Sequence, residues 1–298
     1  MTTMRPGTPA AEVSIDADGV RALLAEQHPD LAELPIRLAA SGWDNLMFRL
    51  GDRLSVRLPR RAIAARLLQT EQRWLPELAG RLPLPIPAPV RIGRANERFP
   101  WAWSVLPWLP GTPADLDPPS DDQGERWGEF LRALHVPAPA GAPRNPVRGG
   151  PLADRIDAFT ARIEHLSGKT DLVDGVVHAI WDRALAAPID GMPTWIHGDP
   201  HAQNVLVEAG AFSAVVDWGD MAAGDPATDL ASVWMLLGSA RARQRALDAY
   251  GSCSAATLVR ARGWAVLFGV TLLDIGLSDT PRFVAMGERT LRRVVEGP

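Results

Sequence analysis

Hydrophobic and polar positions divide the chain into two regimes. In residues 19–28, GVRALLAEQH puts Val20, Leu23 and Leu24 on one helical face, which predicts a helix capping the first lobe. Three short apolar runs come next, IRLAA, LMFRL and LSVRLP, separated by Ser41-Gly42-Trp43-Asp44-Asn45 and by the turn pair Gly51-Asp52, and they predict three antiparallel strands. From Arg61 to Leu75 the spacing becomes helical: Ile63, Leu67, Trp74, Leu75 and Leu78 recur at threes and fours until Pro76, which is expected to kink or end the helix. Glu71 falls near that stripe. A buried carboxylate is costly without a cation, so Glu71 either pairs inside the fold or lies at the solvated edge of the stripe. RLPLPIPAPV is too rich in proline for a helix or a central strand and reads as extended chain, followed by two more strands in PVRIG and WAWSVLPWLPG.

Leu109-Pro110-Gly111-Thr112-Pro113 concentrates the strongest breakers in the chain and marks a boundary, giving a first lobe over 1–108 and a second over 109–298. Beyond it, helical stripes follow one another: Trp127, Phe130, Leu131 and Leu134, with Ser120 and Asp121 as candidate caps; then Ile156, Phe159 and Ile163; then Val176, Val177, Ile180 and Trp181. Leu230, Val233, Trp234 and Leu237 form another stripe, opened by Asp225-Pro226 as N-cap and first helical residue, and two apolar helices are expected near 256–275 and 281–295. Residues 1–15 read as loose.

With 298 residues the chain can build two unequal lobes, each with its own core. A net charge of −4 gives no electrostatic case for nucleic acid as a partner. No stretch approaches the roughly 18 to 20 apolar residues of a membrane span, and the start has no apolar signal region, so a cytoplasmic location without a membrane partner is expected. Cys253 is the only cysteine, which excludes an intrachain disulfide; its neighbours Ser252 and Ser254 suggest a loop. The only lysine is Lys169, so other cationic work falls to arginine. Nothing in the pattern selects a monomer or a dimer.

Chemistry concentrates in Trp195-Ile196-His197-Gly198-Asp199-Pro200-His201-Ala202-Gln203-Asn204 and in the residues to Asp220. Apolar runs on either side of Ala209-Gly210 predict a hairpin that returns the chain, so that Asn204 and Asp217 meet at one end. An amide oxygen and a carboxylate suit Mg²⁺, which keeps several waters and takes further ligands from phosphates. Asp199 precedes Asn204 by five residues and can stand beside that pair as a base.

His197-x-Asp199 with Asn204 five residues on, then Asp217-Trp218-Gly219 and the trailing GDPATDLA, resembles the catalytic-loop and metal-loop signature of the aminoglycoside and macrolide phosphotransferases and related small-molecule kinases. The resemblance covers roughly residues 20–295 and implies an α+β, protein-kinase-like bilobal fold: a small lobe of antiparallel sheet plus helix and a larger, mainly helical lobe. It further implies transfer of a γ-phosphate from ATP or GTP to a hydroxyl of a small molecule, with Asp199 as catalytic base, Asn204 and Asp217 holding Mg²⁺, and His197 and Asp229 supporting the loop. The small lobe is then expected to supply a cation to the phosphates. No lysine is available on the third strand, where Arg57 stands in the corresponding place, with Glu71 on the next helix as its partner. The loop with Ser41, Gly42 and Asn45 is expected near the phosphates, and the strand ending in Pro107, Trp108 and Leu109 near the base. His201 and Asp220 are candidates to face the acceptor.

An antibiotic or natural product is the leading acceptor, with a metabolic alcohol resembling choline, homoserine or a sugar as the alternative. A nucleotide-binding pseudokinase is disfavoured by the intact Asp199, Asn204 and Asp217. A carboxylate-metal hydrolase built from Asp217, Asp220, Asp225 and His197 is disfavoured for want of metal-binding histidine spacing.

Overall fold

The computed structural model describes residues 10–251 and 253–297. The expectation of a loose start therefore lies, for residues 1–9, outside the described residues, as does Ser252. The chain divides into two compact units, Met1–Arg81 with Pro85–Leu109, and Leu82–Leu84 with Pro110–Pro298.

In the first unit, helix α1 (Ala17–Gln27) starts where the Asp16 carboxylate accepts the Gly19 amide at 2.9 Å and buries Val20, Leu23 and Leu24 completely. Strands β1 (Ile36–Ser41), β2 (Asn45–Leu50), β3 (Leu54–Pro59), β4 (Arg91–Gly93) and β5 (Trp103–Pro107) form one antiparallel sheet in the order β1-β2-β3-β5-β4. Phe48 and Leu50 of β2 and Val56 and Leu58 of β3 alternate into a core that contains the α1 residues, Trp103 and Val105. Gly93 is required where β4 crosses Trp103: a Cβ there would come within 1.8 Å of the indole.

Helix α2 (Ala62–Ala79) departs from the sequence reading in two ways. Its buried face is Ala64, Ala65, Leu68, Glu71, Leu75 and Leu78, while Ile63 is 59% exposed, so the face is rotated from the large-residue stripe. Small alanines let the helix approach the sheet closely, and a buried ion pair with Arg57 draws Glu71 to the middle of that face. Pro76 does not end the helix, since α2 continues to Ala79 with Pro76 on its exposed side.

The second unit is mainly helical. Its strands are β6 (Thr112–Pro113), β7 (Thr194–Ile196), β8 (Val205–Glu208), β9 (Ala211–Val215) and β10 (Ala222–Gly224). They make a three-stranded sheet in the order β6-β8-β9 and a separate antiparallel pair of β7 with β10. The β8–β9 turn is Ala209-Gly210 as expected, with positive φ of 50° and 79°, the conformation that tight two-residue hairpins demand.

Helices α3 (Gly124–Leu134), α4 (Ile156–Leu166), α5 (Gly175–Ala186), α6 (Ala227–Leu230), α7 (Ser232–Leu236), α8 (Ala240–Tyr250), α9 (Ala255–Ser278) and α10 (Arg282–Glu296) supply the rest. Four local expectations change. Ser120 makes no side-chain cap bond, and a short 3₁₀ turn, Asp121–Gln123, precedes α3. Ile156 and Val176 are exposed rather than buried, because each lies in the first turn of its helix. The stripe around residue 230 is two short helices, α6 and α7, with Asp225 accepting the Ala227 amide at 3.2 Å and Pro226 at the N-cap.

The expectation that no segment is long and apolar enough to span a membrane also fails, since α9 meets that test by length and composition. In the structure 72% of its apolar window is buried among α4, α5, α6 and α10, the environment of a core helix. It also carries Arg260, whose charge is matched from within the unit.

Candidate active site

The functional loop is built from its backbone outward. Strand β7 delivers the chain to His197, and Gly198 then takes φ 88°, a conformation that side chains strongly disfavour. A Cβ at Gly198 would also meet the Asp220 carbonyl oxygen at 2.6 Å. The tight turn exposes two successive amides to one acceptor: the wholly buried Asp229 accepts the His197 amide at 2.6 Å through Oδ2 and the Gly198 amide at 2.9 Å through Oδ1. A buried carboxylate is tolerable only with such partners. His135, at the end of α3, adds a third contact, its Nε2 lying 3.3 Å from Asp229 Oδ2 and its Nδ1 3.0 Å from the Tyr250 hydroxyl.

His197 sits inside the loop. Its Nδ1 accepts the Asp199 amide at 3.2 Å, which assigns the proton to Nε2, and Nε2 donates to the Val216 carbonyl at 3.0 Å. Its ring packs on Trp218 at 4.7 Å between centroids and is wholly buried.

Asn204 and Asp217 come together at the open end of the β8–β9 hairpin. The Val216 amide donates to the Asn204 carbonyl at 2.8 Å and extends the ladder by one pair beyond Val205 opposite Val215. Asn204 Nδ2 donates to the Asp199 carbonyl at 2.9 Å, which leaves its Oδ1 as the atom presented to a cation. Asp217 is exposed at φ 61°. Among the described residues no group of three or more His, Cys, Asp or Glu side chains could hold a metal unaided. Two hard oxygen donors are instead what an ion ligated largely by phosphates and water requires, so the residues fit Mg²⁺.

The Asp199 side chain stands between two donors, Arg148 Nη2 at 3.4 Å from Oδ1 and His201 Nε2 at 3.5 Å from Oδ2. Arg148 lies over the Phe268 ring, 4.9 Å from its centroid. The His201 side chain is only 13% exposed and packs against Asp199 rather than lying on the loop surface. Asp220 accepts from Asn145 Nδ2 at 2.7 Å. Burial, with the nearby charges of Asp199 and Asp217, holds the Asp220 carboxyl above the usual range, against the opposing influence of Arg148 and Asn145.

The sequence reading missed Arg148, Asn145, His135 and Tyr250. The first two lie in the Pro- and Gly-rich stretch after α3, where no periodicity marks a residue. His135 follows an apolar stripe, and only its distance to Asp229 reveals its place.

Within the first unit, the expected Arg57–Glu71 pair is present and buried: Nη1 donates to Glu71 Oε2 at 2.6 Å, and the two residues are 7% and 2% exposed. With its amide oxygen turned inward, Asn45 accepts from Arg57 Nη2 at 3.0 Å and Nε at 3.2 Å. Arg57 thus joins α2 to the β1–β2 loop. In that loop the Gly42 amide donates to the Asn45 carbonyl at 2.9 Å, and the Gly42 carbonyl accepts from Arg60 at 2.6 Å. Ser41 is half-buried. Pro107 ends β5, Leu109 is half-buried, and Trp108 is 39% exposed with Arg49 stacked over it at 4.1 Å.

Comparison with solved structures places this architecture. The chain is similar to the GDP complex of wild-type aminoglycoside 2'-phosphotransferase-IIIa at 18% identity and TM-score 0.63, over 95% of this chain and 99% of the other. A similar match, at 24% identity and TM-score 0.60, covers 95% of this chain and 98% of a macrolide 2'-phosphotransferase from Brachybacterium faecium. The kanamycin and GDP complex of an aminoglycoside 2"-phosphotransferase matches at 18% identity and TM-score 0.62, over 92% of this chain and 97% of the other. These likenesses show the kinase-like fold of that group, a first unit of antiparallel sheet and a largely helical second unit. No curated protein sequence matches the chain. The family model described as "Phosphotransferase enzyme family" matches residues 35–264, from the first strand to the core helix and through every loop of the site, and the chain belongs to that family.

Proposed function

We propose that this chain transfers the γ-phosphate of ATP or GTP to a hydroxyl of a small molecule, an antibiotic or related natural product being the leading class of acceptor. The observation that carries the reading is the loop geometry: Asp229 fixes His197 and Gly198, Asn204 bonds the Asp199 carbonyl, and the Val216 amide, next to Asp217, bonds the Asn204 carbonyl, which supports a base and two oxygen donors at one end of the hairpin. Such positioning accounts for most of what a phosphotransferase must do, because the transferred group needs orientation and charge neutralisation rather than covalent help.

In this mechanism Asp199 accepts the proton of the acceptor hydroxyl as its oxygen attacks the γ-phosphorus. The bond from that phosphorus to the bridging oxygen breaks, and the nucleoside diphosphate leaves. Asn204 and Asp217 would hold Mg²⁺, which neutralises phosphate charge when bound. Arg57, braced by Glu71, would face the other phosphates, with Ser41, Gly42 and Asn45 in the adjoining loop, and the segment Pro107, Trp108 and Leu109 would meet the base. His201 and Asp220 would line the acceptor side. The antibiotic kinases among the similar structures, solved with GDP, ADP, ATP or aminoglycosides, support the nucleotide and the acceptor class. A triphosphate donor fits the cytoplasmic setting expected from the sequence.

Arg148 favours a second reading. A fixed cation 3.4 Å from the base disfavours an ammonium group beside the reacting hydroxyl, and of the metabolic alcohols it favours a neutral, sugar-like acceptor over a choline- or homoserine-like one. A panel of antibiotics and small alcohols, scored by transfer of labelled phosphate with Mg²⁺, tests both. Transfer by the wild type that disappears in Asp199→Asn and Asp217→Ala is the expected result. Equal background from all three proteins would sink the assignment.

A further inference from the structure

One cavity in the first unit is lined by residues other than the Arg57–Glu71 pair. It measures about 560 Å³, and Arg37, Arg49, Arg53, Asp52 and Leu34 line it. The register explains its charge. Arg37 of β1 stands directly opposite Arg49 of β2, so both side chains leave the same face of the sheet, and Arg53 follows the β2–β3 turn close by.

Like charges directly opposite each other on a sheet are destabilising unless something lies between or beside them. Arg49 is occupied: its Nε donates to the Gly51 carbonyl at 3.1 Å, its Nη2 donates to the Asp52 carbonyl, and its guanidinium stacks on Trp108. Arg37 and Arg53 are exposed, and their side chains make no hydrogen bond or ion pair among the described residues. Asp52, the cavity's one carboxylate, offsets a single charge of the three.

We propose that this cavity binds a small molecule carrying one or more phosphate groups. Guanidinium groups meet phosphate oxygens in a two-pronged arrangement that a monocarboxylate uses less fully, and the two unengaged arginines offer two such forks. The volume lies in the range of small-molecule sites, about 300 to 1,000 Å³. A ligand there touches the turn whose Arg53 carbonyl accepts the Trp108 amide at 2.8 Å, and so reaches the segment assigned to the nucleotide base. The site itself rests on the cavity and its charges, independently of the proposed activity.

Calorimetric titration of the full chain with inorganic tripolyphosphate, in metal-free buffer, tests the proposal. Wild type binds, and the Arg37→Gln/Arg53→Gln double variant binds at least about tenfold more weakly. An unchanged melting temperature shows that the double variant, altered only at exposed positions, is folded. The proposal is overturned by absence of binding to wild type or by equal affinity in the double variant. It is also overturned if a short single-stranded oligonucleotide binds more tightly than tripolyphosphate through the same arginines, since the surface would then serve a polymer.

Discussion

His135 lies 3.3 Å from Asp229 at a point where neither side chain meets solvent, their side-chain exposures being 1% and 0%. Asp229 also receives the amides of His197 and Gly198, so the imidazole completes the set of donors around a carboxylate that water cannot reach. Tyr250 bonds the other ring nitrogen, and its hydroxyl keeps its proton because burial, together with Cys253, Asp229 and Asp225, raises its pKa. Asp229 is the acceptor, so Nε2–H faces it, and in that tautomer the Nδ1 lone pair accepts from the tyrosine hydroxyl.

Three variants separate anchoring from mere packing. Asp229→Ala strips the acceptor from two buried amides and should cost about 3 kcal/mol of stability or more, read as a lowered Tm and reduced soluble yield. His135→Leu should keep most of the stability but lower kcat about tenfold with little change in the KM for nucleotide. His135→Gln, whose amide can reach the place of Nε2, should recover most of that loss. Equal stability and rates in Asp229→Ala and wild type would show that the loop holds itself.

A second prediction concerns Arg57 and Glu71, which are buried together at 2.6 Å. Glu71→Ala leaves a guanidinium in the core without its carboxylate and should cost about 3 to 5 kcal/mol. The double variant Arg57→Met/Glu71→Leu replaces both charges by apolar groups and should regain most of that stability, because removing a whole buried pair is far less costly than breaking it. It should not regain nucleotide affinity. Thermal melting and a nucleotide titration on the same samples check both halves, and tight nucleotide binding by the double variant would remove the pair from the phosphate site.

Legibility in the sequence followed how local each signal was. The hairpin around Ala209-Gly210 and the strand set of the first unit rest on turn residues and two-residue periodicity, which neighbouring positions encode without reference to the rest of the fold. Asn204 and Asp217 could be placed together for that reason. The face of α2 is misread when large side chains are weighed over alanines, since Ala64, Ala65 and Leu68 make the packed surface. Arg148, Asn145 and His135 depend on contacts across 51, 75 and 94 positions of chain, and no local pattern announces such partners. The same limit hid Arg260, whose guanidinium grips Asp225 at 2.7 and 3.0 Å from 35 positions further along the chain.

That grip supports a third prediction. Asp225 is fixed by two parallel bonds from Arg260, and its own amide donates to the Gly149 carbonyl at 2.8 Å, next to Arg148. Lysine keeps the charge but cannot make both bonds. Arg260→Lys should therefore lower Tm nearly as much as Arg260→Met, a loss of about 3 kcal/mol, and both should depress kcat by displacing Arg148 from Asp199. A lysine variant indistinguishable from wild type in melting would mean that charge alone suffices.

The last prediction concerns Asp220. Burial first, and then Asp199 and Asp217, raise its pKa from the ordinary 3.8, so the folded chain holds this proton more tightly than the unfolded chain. In the interval above 3.8 the native state therefore binds more protons, and its stability falls as pH rises through that interval, by the linkage between proton binding and folding. The cost of keeping Asp220 ionised persists at neutral pH. Asp220→Asn carries no charge at any pH, and its carbonyl can still accept from Asn145. Its Tm should exceed that of wild type by about 2 °C near neutral pH. The gain should vanish at about pH 3, where the wild-type carboxyl is protonated as well. Differential scanning calorimetry across that range gives the comparison, and a variant that is less stable at neutral than at acid pH, relative to wild type, would reverse the sign and show that the ionised carboxylate is stabilising.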